Sequence, residues 1–76
     1  MEGADLRWAH LEGAILSYVR LEGADLRWAH FDYTNLRWAH LEGANLGFAY
    51  LRGTHLRGAY LKGTKFSGAF AKCAVE

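Results

Sequence analysis

Two histidines and two acids recur at a spacing of twenty residues, His10 with Glu12 and His30 with Asp32. Imidazole nitrogens and carboxylate oxygens are the donors a divalent transition metal takes. If the fold stacks positions twenty apart, the four groups fall within roughly 5–7 Å of one another. Nothing in the sequence supplies the outer donors that orient a working metal site, so the set reads as polar surface and no metal or cofactor is assigned. The same spacing sets Asp5 and Arg7 against Asp25 and Arg27, and Arg20 and Glu22 against His40 and Glu42, opposite charges that neutralise one another when stacked. Cys73 is the single cysteine, which excludes an intramolecular disulfide, and a lone thiol in the last, irregular repeat reads as a partly covered side chain rather than a nucleophile.

What positions these groups is a period of five. Leu6, Leu11, Leu16, Leu21, Leu26, Phe31, Leu36, Leu41, Leu46, Leu51, Leu56, Leu61 and Phe66 are all Leu or Phe, and the run ends at Ala71. A small residue stands two places before each, from Ala4 and Ala9 through Val19, Thr34, Thr54 and Thr64 to Ala69. On an α-helix, residues five apart are rotated by roughly 140°, and on a flat strand they alternate between faces, so neither element could bury the leucines together. A chain that turns a corner every five residues can. The small residue and the Leu or Phe then point inward from one short extended segment, the residues flanking the Leu point outward, and four sides close a coil of twenty. Residues 2–21, 22–41 and 42–61 align as three such coils, with 62–76 as a partial fourth. The expected fold is therefore all-β, a parallel β-solenoid of about 3.7 coils forming one domain over residues 1–76.

The units Ala4-Asp5-Leu6, Ala24-Asp25-Leu26, Thr34-Asn35-Leu36 and Ala44-Asn45-Leu46 carry a small residue, Asp or Asn, and Leu in order. In this the chain resembles the pentapeptide-repeat proteins. The resemblance covers about residues 2–73 and implies a right-handed quadrilateral β-helix with four repeats per coil. Elsewhere His, Tyr, Arg or Lys stands where Asp or Asn is usual, which makes the outer surface particular to this chain.

Stacking at twenty turns each outward position into a column. Trp8, Trp28 and Phe48 share one corner, Tyr18 and Trp38 the opposite one, and Tyr33 stands alone on a third. The fourth corner is Gly3, Gly23, Gly43 and Gly63, a bare edge suited to positive φ. Exposed Trp and Phe in a row are costly without a partner, so the aromatic corners are candidate protein-binding or self-association edges; alternatively the rings cover the turns and the stems of Arg7, Arg27 and Arg37. Charge is graded along the axis. Residues 1–50 carry four basic and seven acidic side chains, and residues 51–76 five basic and one acidic. Head-to-tail stacking would bring Lys62 and Lys72 of one copy towards Glu2, Glu12 and Glu22 of the next, giving a homo-oligomer through the solenoid ends.

A filled four-sided column offers convex faces and no pocket in which perturbed groups converge, so no catalytic residue is assigned and the expected class is not an enzyme. The leading expectation is an interaction or scaffold module that binds protein. Family resemblance implies a different possibility, since some pentapeptide-repeat proteins are DNA mimics that bind DNA gyrase. Those are longer and strongly acidic, whereas this chain has a net charge of +1. That balance also argues against direct nucleic-acid binding, for which Arg52, Arg57, Lys62, Lys65 and Lys72 would be the residues available. No long apolar run interrupts the repeats, so no membrane partner is expected, and a reducing cytoplasm is the default location.

Overall fold

The computed structural model describes residues 2–70. Its backbone is a stack of coils joined by parallel bridges, and every bridged pair, from Asp5 with Asp25 to Tyr50 with Phe70, is twenty residues apart. With a turn every five residues, each coil has four sides. We number them by their outward residues in the first coil: side one holds Asp5 and Arg7, side two His10 and Glu12, side three Ile15 and Ser17, side four Arg20 and Glu22.

The turns explain the period. From Leu6–Ala9 to Phe66–Ala69, the small residue donates its N–H to the carbonyl of the Leu or Phe three residues earlier at 2.9–3.1 Å. The residue before it has φ between 58° and 73°, the signature of a type II turn. Such turns take the corner in two residues. The side between corners is then so short that one residue of each side forms the parallel bridges, and among the described residues no longer strand develops, which differs from the extended segments expected.

Main-chain donors left over by the turns go to neighbouring coils or to side chains. Leu6 donates to Asp25 O at 2.8 Å and Asp25 to Ala4 O at 2.9 Å, a pattern repeated up the column. The first residue of the turn needs an acceptor of its own. In the four units with Asp or Asn before the Leu, that side chain supplies it: Arg7, Arg27, Arg37 and Gly47 donate their N–H to Asp5, Asp25, Asn35 and Asn45 at 3.0–3.3 Å.

Leu21, Leu26, Phe31, Leu36, Leu41, Leu46 and Leu51 are buried, as are Ala24, Ala29, Ala39, Ala44 and Ala49 between them. Thr34 and Thr54 are buried too, and each hydroxyl donates to a carbonyl of the coil below, Leu11 O at 2.6 Å and Phe31 O at 2.7 Å. A polar group thus sits in the core with its hydrogen bond made. Leu6, Leu11, Leu16 and Leu56 are partly buried against this cluster. Two residues expected in the core are not there: Leu61 and Phe66 are 37% and 36% exposed. They belong to the outermost stacked side chains, and among the described residues no coil lies over them. Coverage in a solenoid comes from neighbours on both sides along the axis, so a residue with the right pattern still lies open at an end.

Candidate interaction surface

The left-handed corner position holds glycine at eight places and an aromatic residue at six, Trp8, Tyr18, Trp28, Tyr33, Trp38 and Phe48. A side chain in this conformation is disfavoured by roughly 1–2 kcal/mol, and glycine carries no such penalty. The six rings are therefore held out at the corners against the preference of their own backbone.

Five of the six rings meet the next coil. Trp8 stacks on Trp28 with centroids 5.2 Å apart, and Trp28 on Phe48 at 4.6 Å, both within 8° of parallel. Phe48 then meets Gly68, where a Cβ would fall 2.6 Å from its ring; Tyr33 covers Gly53 in the same way, and Trp38 covers Gly58. Tyr18 and Trp38 share their corner as expected, but no ring stack joins them among the described residues. The six aromatics form one three-ring ladder and two smaller groups. Trp8, Tyr18 and Tyr33 are the most open of them, at 60–69% exposure.

A second ladder was not anticipated from the sequence. On side two, His10, His30, Tyr50 and Phe70 stack at 4.7, 4.4 and 5.0 Å, and on side four His40 stacks on Tyr60 at 4.4 Å. Positions 10, 30, 50 and 70 all carry rings, a signal present in the sequence but split there between two polar imidazoles and two larger aromatics. The side-two ladder lies one inward alanine (Ala9, Ala29, Ala49) beyond the Trp8 corner, so the two ladders run side by side.

The polar groups pair locally. Arg7 grips Asp5 with two bonds of 2.9 Å and also approaches Asp25 at 3.8 Å; Arg27 grips Asp25 at 2.8 and 2.6 Å. These bonds pull the Asp5 carboxyl down to about 2, chiefly through Arg7, and lower Asp25 through Arg27. A carboxyl whose folded pKa is depressed stabilises the fold above its unfolded value near 4, and that contribution disappears as pH falls through the folded value. Melting temperature is therefore expected to drop between about pH 4 and pH 2, and D5N/D25N to flatten that part of the profile. In other units the acid follows the Leu and serves the turn itself: the Glu12 and Glu22 carboxyls are lowered first by their own backbone N–H groups, against the cost of desolvation.

The predicted imidazole and carboxylate set does come together in part. His10, Glu12 and His30 each offer a ligand atom within 4.8 Å of the others, and so do Glu22, His40 and Glu42, which the sequence groups with Arg20 as a neutralising set rather than as donors. Asp32 stands outside the first trio, with its Oδ1 buried and without a hydrogen-bond partner among the described residues. Parallel imidazoles 4.7 Å apart aim parallel lone pairs, so one ion in the plane of both would open the stack. In the second trio, Arg20 already occupies Glu22 at 3.0 Å while also reaching Glu2 at 3.2 Å.

Glu2, Glu12 and Lys62 are exposed and Glu22 is half-buried; Lys72 and Cys73 lie outside the described residues. Among the described residues no helix is long and apolar enough to cross a membrane.

Turns at every fifth residue, bridges between residues twenty apart and Asx-capped corners find their match in the family model described as pentapeptide repeats, which fits residues 4–43 and 39–71 in eight copies. The chain belongs to the pentapeptide repeat family. Among solved structures it is similar to a pentapeptide repeat protein, Rfr23, from the cyanobacterium Cyanothece 51142, at 43% identity with a TM-score of 0.70. That similarity covers 86% of this chain and 48% of the cyanobacterial one, so the chain spans about half the length of that pentapeptide repeat protein. No curated protein matches it. As a pentapeptide repeat chain it is a β-helix of a generally non-enzymatic kind.

Proposed function

We propose that this chain is a non-enzymatic interaction module, a right-handed quadrilateral column of about 3.7 coils acting in the cytoplasm, that binds protein through side two and the Trp8 corner. The observation that carries this reading is the presence of six rings at corners where glycine fits without strain. Trp8, Trp28 and Phe48 beside His10, His30, Tyr50 and Phe70 give a broad ring-lined strip, the residue types that dominate binding energy at protein interfaces. Stacked rings present edges outward, which suits packing against a protein surface.

A DNA-like surface needs a continuous line of negative charge. Here side one alternates Asp5 with Arg7 and Asp25 with Arg27, and the columns change from acid to base on ascending, as in Glu22, Glu42 and Lys62. The gyrase-mimic reading finds no support in that pattern.

The test substitutes glycine for the rings, because glycine suits the corner backbone and should leave the fold intact. W8G/W28G/F48G is expected to melt as a folded protein yet lose the partner that the native chain captures by cross-linking. Equal capture by both proteins would defeat the assignment to this corner.

A further inference from the structure

We propose that copies of this chain stack head to tail in one defined register, with the Glu2–His10 edge of one copy seated on the Lys62–Phe70 edge of the next. The inference rests on the interaction-module reading but places a second copy at the ends of the column instead of a partner on side two.

Among the described residues both edges are open ladders. In the second coil, Asp25 and His30 donate to Ala4 O and Ala9 O at 2.9 and 2.8 Å, whereas the equivalent donors Asp5 and His10 face no coil among the described residues. At the other edge, Gly43 and Leu46 donate to Lys62 O and Lys65 O at 3.0 and 2.7 Å, but their counterparts Gly63 and Phe66 have no such acceptor among the described residues. Continuing the twenty-residue rule across two copies satisfies all of these. Gly63 and Phe66 donate to Glu2 O and Asp5 O of the next copy, and its Asp5 and His10 donate to Thr64 O and Ala69 O. An open parallel edge of this kind is a template for another chain.

Side chains select the same register. The columns Glu2, Glu22, Glu42, Lys62 and Asp5, Asp25, Asn45, Lys65 end in bases and begin in acids, so the next copy's Glu2 lies over Lys62 and its Asp5 over Lys65. His10 extends the side-two ladder by stacking on Phe70, which is 50% exposed. Leu6 covers Phe66 at the open end of the core. Of the four quarter-turn rotations, this is the one that sets both acids over lysines. The contact is heterologous, so the stack is open-ended.

Light scattering at rising concentration is expected to show a weight-average mass that climbs above 8.5 kDa and falls back with salt. K62E/K65E and E2K/D5K should each remain folded by thermal melting and monomeric at every concentration, and mixing the two should restore association, because each supplies the edge the other repels. Overturning results are a wild-type mass that stays at 8.5 kDa throughout, or association that both charge-reversed proteins retain alone. W8G/W28G/F48G separates the two readings. It should keep end-to-end association; if it loses self-association while the charge variants keep it, copies meet through the Trp8 corner, which overturns the end register and leaves the interaction module standing.

Discussion

Phe31→Ala is expected to bring the protein to the edge of unfolding in water. Phe31 is fully buried in the column between Leu11 below and Leu51 above, at the middle of the core. Truncating a buried Phe costs about 3–5 kcal/mol, the larger values arising where the cavity cannot collapse. Collapse is blocked here, because the coil spacing is set by main-chain bonds on both sides: Leu11 donates to His30 O at 2.9 Å and Phe31 to Tyr50 O at 2.7 Å. A domain of this size has a total stability of roughly 4–11 kcal/mol, so one substitution removes much of it. Phe66→Ala removes the same atoms from a ring 36% exposed at an end, and should cost about 1–2 kcal/mol in a monomer. Urea denaturation measures both. Equal losses would show that the core is not centred where the stack places it.

The contrast between those two phenylalanines marks what could be read from the sequence. The period of five and the register of twenty are properties of the unit, and every bridge obeys the register. Burial depends on position along the axis, which the pattern at Leu61 and Phe66 does not encode. Corners show the same division. Gly23 and Gly43 are legible as positive-φ positions, but Trp28 and Phe48 share that backbone, and side chains give no sign that a ring replaces glycine in a left-handed turn. Asp or Asn before the Leu is legible as a pattern, but its cause lies in the structure, where Asp5 and Asn45 accept the next turn's N–H. Side two is less legible, because residue type separates the polar His10 and His30 from Tyr50 and Phe70, while stacking depends on the flat faces that all four share.

That pairing of ring and glycine along a column leads to the second large effect. Gly58 has φ of 70°, and a Cβ there would enter the Trp38 ring. Gly58→Ala therefore meets two penalties: about 1–2 kcal/mol for a left-handed alanine, and about 1–3 kcal/mol for displacing a ring packed over the turn. Gly43→Ala isolates the first, since its φ is also 70° and nothing lies within 4 Å of a Cβ at that position. The ring term is tested by a double-mutant cycle. Trp38→Gly removes the obstacle, so W38G/G58A should be destabilised relative to W38G by no more than G43A is relative to the native chain, a coupling of about 1–3 kcal/mol. If G58A and W38G were simply additive, the ring would not be pressing on the turn above it, and the corner aromatics would be free side chains rather than part of the column's packing.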